Sequence, residues 1–407
     1  MSDSLHDDSN PALLPAGFRA AGVACGIKND RDTHDLAVFA ADGPVTAAGV
    51  FTRNRVCGAP VKVSRERVPG EAVRAVIVNS GNANACTGSR GIADAKLMPA
   101  VVAEQLGCAP EAVLVCSTGV IGHYLPIETI VSGSPRVVEE LDDSPEAFHT
   151  AARAMMTTDT VPKTFGIETE IGGVRVRVGG MAKGSGMIAP DMATMLSVIT
   201  TDAAVAPDFL RQLLATAVRR SFNCITVDGD MSTNDTVIAL ANGAAGAVEI
   251  AGAGEAADAF YALLERVCRE LARLIARDGE GATKLVNIRV SGARDETEAR
   301  QGGLSVANSS LVKTAVFGRD PNWGRILCAV GYAGVDIDPE AVGVALCGTT
   351  IYKAGAGAAF DQEQLTAAMG DADIPIDIDL GQGSAQAEIF TCDLSYDYVR
   401  INAEYTT

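Results

Sequence analysis

The sequence predicts an α/β protein, because segments with strand and helix patterns alternate along it and are separated by glycine and proline. Residues 75–78 form an unbroken apolar run typical of a buried strand, and residues 113–116 repeat that design before a turn predicted at residues 117–119. Residues 207–222 and 255–281 keep the apolar spacing of amphipathic helices. Gly279 stands where a left-handed residue would end the second helix.

Composition favours a globular protein that acts on small molecules. The 407 residues are 47% apolar and 21% charged, which is enough for two or three domains with a large core. A formal net charge of −18 disfavours nucleic acid and anionic membranes as partners. The first residues, MSDSLHDDSNPALLP, lack the basic and apolar regions of a signal peptide. We therefore expect a cytoplasmic protein with a solvated tail over about residues 1–16.

The sequence offers no pattern typical of a metal site. Its ten cysteines are scattered singly, without a CxxC pair, so we expect reduced and mostly buried thiols. The acidic residues Asp228, Asp230 and Asp235 lack the spacing and the terminal glutamate of a calcium loop. We predict that they make hydrogen bonds within a loop and that the protein requires no metal.

The segment KGSGMIAPDMATMLSVITT places a threonine, Thr194, at the start of a β-branched, strand-like run. A hydroxyl is a weak nucleophile that needs a base, and none of the four histidines (His6, His34, His123 and His149) has a recognisable triad spacing. An α-amino group is another suitable base, with an ordinary pKa of about 7.7 to 8.0. Thr194 would carry one if the chain were cut just before it.

Such a cut has a chemical route. Attack of the Thr194 hydroxyl on the carbonyl of Ala193, followed by hydrolysis, would release a new N-terminus at Thr194. The small Ala193 and the nearby Gly184 and Gly186 suit the backbone geometry that this attack requires. From propensity alone, however, Thr194 is best explained as an ordinary residue of a β-strand.

Seven longer motifs, which follow one another along most of the chain, extend this hypothesis beyond the segment around Thr194. They are GVFTRNRVCGAPV, VNSGNANACTG, CSTGVIG, MTTDTVPK, MAKGSGMIAPDMATMLSVITTDA, DGDMSTNDT and GRDPNWGRI. Together they resemble the ornithine acetyltransferase family, the glutamate N-acetyltransferases of arginine biosynthesis. The resemblance implies an autoprocessed, N-terminal-nucleophile-like enzyme with layered sheets flanked by helices.

The resemblance also implies how the protein matures and acts. The precursor would cleave itself between Ala193 and Thr194 into an α chain, residues 1–193, and a β chain, residues 194–407. Two copies of each would associate into a heterotetramer. The enzyme would move acetyl from N2-acetylornithine to glutamate by a ping-pong mechanism through acetyl-Thr194. No cofactor is implied, although bifunctional members of the family also use acetyl-CoA as a donor.

Carried onto this sequence, the family's roles make Thr194 the nucleophile and its amine the base, with Thr118 and Gly119 as the oxyanion hole. The residues that would contact substrate are Thr157, Lys183, Thr194, Glu280, Asn402 and Thr407. Thr158 is an alternative to Thr157, because the two adjacent threonines leave the register open. A lysine suits an amino acid's carboxylate, and a glutamate suits the side-chain ammonium of ornithine.

Two alternatives stay open at the level of sequence. An N-terminal-nucleophile amidohydrolase or aminopeptidase would share the cleavage but would pass the acyl group to water. A non-catalytic nucleotide-binding protein is suggested only by AVEIAGAGEAADAF, in which Gly252 and Gly254 partly imitate a dinucleotide-binding fingerprint. That protein would remain one uncut polypeptide.

Overall fold

A computed structural model describes residues 13–28, 30, 32–189 and 195–404. Within these residues, fourteen strands form two sheets. The first sheet contains β1 (Phe18–Val23), β2 (Leu36–Phe51), β3 (Gly70–Asn82), β4 (Val113–Val120), β5 (Lys163–Ile171), β6 (Val174–Lys183), β7 (Leu196–Thr201) and β8 (Thr236–Ala241). The second contains β9 (Leu285–Ala293), β10 (Gly343–Leu346), β11 (Thr349–Lys353), β12 (Ala356–Gly357), β13 (Asp373–Asp379) and β14 (Ala385–Cys392).

Eleven α-helices connect or cover these strands in the described part of the chain. They are α1 (Ala59–Arg65), α2 (Gly88–Leu106), α3 (Ile127–Glu139), α4 (Pro145–Met155), α5 (Pro207–Arg220), α6 (Glu255–Arg277), α7 (Glu296–Ala307), α8 (Ser310–Phe317), α9 (Trp323–Gly331), α10 (Gln362–Ala368) and α11 (Tyr396–Glu404). None of these helices combines the length and the apolar character needed to cross a bilayer.

The first sheet has the order β4-β3-β2-β8-β7-β6-β5, and β1 pairs with β2. The sheet has two halves, one formed by β1 to β4 and the other by β5 to β8. Strand β2 connects them, because its first part pairs with β1 and β3 and its last part pairs with β8. Its register against β3 is irregular between Ala40 and Val45, which divides these two parts. Apolar residues from both halves, including Phe39, Val78 and Ile238, form one buried cluster.

Helices cover the face of each half of the sheet that points away from this buried cluster. Helices α1, α2 and α3 pack over β1 to β4, where residues such as Ile77 and Val115 point towards them. Helices α5 and α6 pack over the other half, and Phe260 and Leu264 of α6 are fully or almost fully buried there. The predicted α/β architecture with layered sheets and flanking helices is therefore confirmed.

The second sheet forms a separate apolar cluster with α7, α8 and α9. Its order is β12-β11-β10-β13-β9-β14, with β13 and β9 parallel. Phe390 and Cys392 of β14 pack into the core beneath α6, so the two sheets share a boundary at that helix. Residues 278–284, which connect α6 to β9, therefore lie at the boundary between the two sheets.

The sequence predicted the strands at residues 75–78 and 113–116 and the two amphipathic helices, and all four are confirmed. Gly279 was assigned wrongly as the left-handed residue that ends α6. The helix ends at Arg277 with Asp278 as its C-cap, and the positive φ of 68° belongs to Gly281. A Cβ at Gly279 would lie 2.8 Å from the Cys392 sulfur, so packing is what favours glycine there.

The predicted solvated tail is also too long. Pro15 is buried, and Leu14 packs against the apolar cluster of the first sheet. A Cβ at Gly179 of β6 would lie 1.8 Å from the Leu13 carbonyl oxygen, which shows how closely this segment crosses the sheet. Two successive leucines thus hold residues 13–15 against the core, while residues 1–12 lie outside the described part of the chain.

Candidate active site

A cavity of about 80 Å³ lies where several chain segments end beside the first sheet. Six residues predicted from the sequence to act in catalysis or binding line this cavity: Thr118, Gly119, Thr157, Lys183, Glu280 and Asn402. Thr158, the alternative to Thr157, lines it as well. Residues far apart in the sequence, on β4, β6, α11 and two loops, are thus brought together around one small volume. We call this volume the active-site cavity.

The remaining predicted site residues, Ala193, Thr194 and Thr407, lie outside the described residues. The chain is described again from Met195, whose backbone N–H donates to the Asp235 carboxylate at 3.0 Å. Asp235 is buried, and burial raises its pKa well above the ordinary value. Its second carboxylate oxygen has no hydrogen-bond partner among the described residues. A buried carboxyl group therefore lies next to the residue that follows the predicted nucleophile.

Thr118 and Gly119 lie near the end of β4, which runs parallel to β3. The turn predicted at residues 117–119 is wrong, because these residues continue the strand beyond its buried apolar part. Gly119 has a φ of 132°, and a Cβ there would lie 2.3 Å from the Gly81 carbonyl carbon. Only glycine fits this backbone approach, and both Thr118 and Gly119 line the active-site cavity.

Asn234 joins the two strand ends behind the cavity. Its side-chain amide donates to the carbonyl of Ala83 at 2.6 Å and to that of Ser117 at 2.8 Å. The Thr233 hydroxyl in turn donates to the Asn234 side-chain oxygen at 2.6 Å. Both residues line the cavity and belong to the DGDMSTNDT motif. Sequence reasoning assigned them no role, and the only signal for them was membership of that motif.

Lys183, the last residue of β6, lies at the floor of the cavity and is only 2% exposed. Its ammonium donates to the hydroxyl of Thr157 at 2.7 Å and to that of Thr118 at 3.2 Å. Burial lowers the pKa of Lys183, and the nearby Asp159 carboxylate offsets part of that fall. An ammonium has three donors, so two of them are directed at hydroxyls that themselves line the cavity.

Because Thr118 accepts a hydrogen bond from Lys183, its own hydroxyl proton is free to be donated elsewhere. Acceptance from a cation also polarises that hydroxyl. Together with the backbone N–H of Gly119, it can stabilise negative charge that develops on an oxygen in the cavity. This arrangement has the chemistry of an oxyanion hole.

Glu280 lies three residues beyond α6 and is 8% exposed. One of its carboxylate oxygens accepts a hydrogen bond from the Asn402 side-chain amide at 2.8 Å. A Cβ at Gly186 would lie 2.3 Å from the Glu280 carboxyl group, so the absence of a side chain at Gly186 makes space for that carboxyl group. Within the described part of the chain, this amide is the only hydrogen-bond donor to the Glu280 carboxylate, which is therefore suited to bind a cationic group in the cavity.

The carboxylates of Asp228 and Asp235 make loop hydrogen bonds of the kind that the sequence predicted, and the Asp230 backbone N–H donates to the Asp228 carboxylate at 3.1 Å. The Asp228 carboxylate accepts from the backbone N–H groups of Met187 at 2.6 Å and Ile188 at 2.9 Å. The described residues contain no cluster of three or more groups that could hold a metal ion. All ten cysteines are free; four are buried, four are half-buried, and Cys86 and Cys328 are exposed.

A larger cavity, of about 920 Å³, lies at the edge of the second sheet beside β14. Most of its charged groups pair with one another, as Arg220 does with Glu296 and Arg269 with Glu388. Among the described residues, none of those predicted to act in catalysis lines it. The smaller cavity is therefore the better candidate for chemistry, because its polar groups converge.

Comparison with known proteins identifies the family to which this chain belongs. The family model described as "ArgJ family" matches residues 19–407. This chain belongs to the ArgJ family. It is 48% identical over 407 residues to the arginine biosynthesis bifunctional protein ArgJ of Thermosynechococcus vestitus, with 96% of each chain covered. It is 47% identical over 392 residues to the ArgJ of Geobacter sulfurreducens, covering 96% of this chain and 99% of that one.

A solved ArgJ structure agrees with the fold. The crystal structure of ArgJ from Bacillus halodurans matches with a TM-score of 0.51 and 42% sequence identity. The match covers 100% of that chain but only 52% of this one. The resemblance to acetyltransferases of arginine biosynthesis, stated from seven motifs, is thus confirmed at the level of the family.

Proposed function

We propose that this ArgJ-family protein is a self-cleaving acetyltransferase that moves acetyl from N2-acetylornithine to glutamate. The observation that carries the proposal is the convergence of Thr118, Gly119, Thr157, Lys183 and Glu280 on one cavity. These groups supply an oxyanion hole, a cation for an amino acid's carboxylate and an anion for the ornithine ammonium. The family membership supports an acetyltransferase of arginine biosynthesis in particular.

Maturation would begin with attack of the Thr194 hydroxyl on the Ala193 carbonyl and end with hydrolysis of the resulting ester. This releases the carboxylate of Ala193 and the free amine of Thr194. Two features support the cleavage. The whole solved Bacillus halodurans ArgJ chain matches about half of this chain, and residues 194–407 are also about half of it. The described histidines do not line the active-site cavity, so they offer no alternative base there.

In the first half-reaction, the Thr194 hydroxyl attacks the acetyl carbon while its own amine takes the hydroxyl proton. Negative charge on the acetyl oxygen is stabilised by Thr118 and Gly119. The bond between the acetyl carbon and N2 then breaks, N2 takes a proton from the Thr194 ammonium, and ornithine leaves. Glutamate reverses these steps, since its amine attacks acetyl-Thr194 and N-acetylglutamate departs.

The two substrates share an α-carboxylate and differ in the charge at their other end. Lys183 is the proposed partner of the shared carboxylate, and Glu280 is the proposed partner of the ornithine ammonium. Thr157, rather than Thr158, is the proposed substrate contact, because its hydroxyl is already oriented by Lys183. Asn402 would act by holding the Glu280 carboxylate, and we retain Thr407 as a further contact.

We further infer that the α and β chains stay together in a heterotetramer, that the enzyme works in the cytoplasm, and that acetyl-CoA can serve as a second donor without any bound cofactor or metal. Purified protein incubated with glutamate and either N2-acetylornithine or acetyl-CoA tests the reaction directly. Formation of N-acetylglutamate supports the proposal. Release of acetate at the same rate with or without glutamate would instead favour the amidohydrolase alternative.

A further inference from the structure

Asp159 contacts two residues that line the active-site cavity, Thr157 and Lys183, and its side chain is fully buried. Its carboxylate accepts hydrogen bonds from the Lys163 ammonium at 2.6 Å, the Gly184 backbone N–H at 2.7 Å and the Thr157 backbone N–H at 3.0 Å. The Lys183 ammonium lies 3.9 Å from the same carboxylate. One carboxylate thus contacts the segments on both sides of the cavity floor.

Lys163 extends this contact to a third segment. Its buried ammonium also binds the Asp278 carboxylate at 2.5 Å. The Asp278 carbonyl accepts from the Ser185 hydroxyl at 2.5 Å, and the Ser185 carbonyl accepts from the Glu280 backbone N–H at 2.9 Å. The loop that carries Glu280 is therefore connected to β5 and to the residues after β6.

We propose that Asp159 is a positioning residue that fixes Thr157 and Lys183 relative to each other and, through Lys163 and Asp278, relative to Glu280. This role rests on the proposed function, because those three residues are the proposed substrate contacts. Asp159 itself does not line the cavity. Buried ion pairs contribute little net stability, since desolvation offsets their attraction. The role of these ion pairs is therefore to hold three short segments of the chain in one geometry.

The Asp159 carboxylate also raises the pKa of Lys183. The charged groups that act on Lys183 are Asp159, Lys163, Glu280 and Asp235, and Asp159 is the strongest of the three carboxyl groups that raise its pKa. Lys28 is a further cation close enough to interact with Lys183. Burial by itself would raise the pKa of Asp159, but the ammonium groups of Lys163 and Lys183 hold it well below its ordinary value.

Loss of the Asp159 charge would therefore lower the pKa of Lys183 further. A lysine is charged below its pKa, so a lower pKa means that the ammonium is lost as pH rises through a lower range. Binding of a substrate carboxylate by Lys183 would then weaken towards alkaline pH. The wild-type enzyme, which keeps Asp159, should lose this binding only at higher pH.

The test compares Asp159→Asn with wild-type enzyme in the transfer assay between about pH 7 and pH 9. We expect KM for N2-acetylornithine to rise about tenfold more across this range in the variant than in the wild type. Asp228→Asn is the matched control, because Asp228 is also a loop carboxylate that accepts from backbone N–H groups but has no lysine partner among the described contacts. Its KM should follow the wild-type pH profile.

A KM profile of Asp159→Asn that parallels the wild type would overturn the inference, as would the same alkaline rise in Asp228→Asn. If Asp159→Asn does not fold, Asp278→Asn decides, because it leaves Asp159 in place and removes the anchor of the Glu280 loop. We expect it to raise KM for N2-acetylornithine more than KM for glutamate, and unchanged kinetics would contradict the network. Absence of acetyl transfer by the wild-type protein would instead reject the proposed function.

Discussion

At the scale of single residues, Lys183 connects two proposed tasks that sequence reasoning kept separate. The lysine was assigned to the substrate carboxylate and the threonine at 118 to the oxyanion hole. The structure joins them, because the Lys183 ammonium donates to the hydroxyls of both Thr118 and Thr157. A change at Lys183 should therefore affect the chemical step as well as substrate binding.

Thr118→Ala tests the oxyanion hole. Loss of one donor to the developing oxyanion should lower kcat by about 10²- to 10³-fold, with a smaller change in KM. Thr118→Ser is the control, because it keeps the hydroxyl that accepts from Lys183. Steady-state kinetics of the two variants would distinguish these outcomes, and an unchanged kcat in Thr118→Ala would leave this part of β4 with a structural role only.

Lys183→Met and Glu280→Gln separate the two ends of the substrates. Lys183→Met should slow both acetylation by N2-acetylornithine and discharge by glutamate, since both substrates carry the α-carboxylate. Glu280→Gln should weaken mainly the first reaction, by about 1.5 to 3 kcal/mol, because the ornithine ammonium loses a charged partner. Single-turnover measurements of each half-reaction would show this difference.

Glu404→Gln serves as the control for Glu280→Gln, since Glu404 is exposed on α11. It should leave both half-reactions unchanged. Equal slowing of both half-reactions in Glu280→Gln would mean that Glu280 does not bind the ornithine ammonium. We would then assign it to a structural or proton-transfer role.

At the scale of secondary-structure elements, the sequence was most informative where a pattern is local. The apolar spacing of α5 and α6 and the buried runs of β3 and β4 depend on neighbouring residues, and all were predicted. The irregular end of β4 was taken for a turn, because its geometry depends on pairing with β3 across the sheet. Gly279 was misassigned for a similar reason, since Cys392 of the distant β14 decides its packing.

Gly119→Ala tests the close approach of β3 and β4. A Cβ would lie 2.3 Å from Gly81 backbone atoms that cannot move without disturbing both strands, so we expect a large loss of stability. Gly122→Ala is the control, because Gly122 also has a positive φ, of 84°, but open space around it. It should cost only about 1 to 2 kcal/mol from the backbone conformation. Similar thermal midpoints for the two variants would contradict the close approach.

Prediction from sequence is limited in the same way at the candidate site, because sequence patterns describe only local features. Family motifs located Thr118, Thr157, Lys183 and Glu280, but motifs state neither contacts nor burial. The network of Asp159, Lys163 and Asp278 joins residues more than a hundred positions apart. Asp159 and Lys163 lie in the MTTDTVPK motif, but the motif states no role for them, because that role arises only when β5, β6 and the end of α6 are packed together.

At the scale of the whole molecule, the proposed cleavage would divide a sheet rather than separate two domains. Strand β7 pairs with β6 and β8, and β8 pairs with β2. Strands from both sides of residues 193 and 194 are thus interleaved in the first sheet. After the proposed cleavage, this strand pairing would hold the two chains together without the covalent bond.

We therefore expect the two chains to elute together in gel filtration under native conditions and to separate only in denaturant. The paired strands and the shared apolar cluster supply the association. Multi-angle light scattering of the native peak would also give the number of α and β chains. Separation of the chains without denaturant would contradict the role of the shared sheet.

The most direct test of the account is the mass of the protein after brief incubation with N2-acetylornithine in the absence of glutamate. The account predicts two chains, the second beginning at Thr194 and carrying one added acetyl group that peptide mapping places on Thr194. Addition of glutamate should remove that group and yield N-acetylglutamate. An active enzyme that remains one uncut polypeptide, or an acetyl group that never appears on Thr194 during turnover, would contradict it.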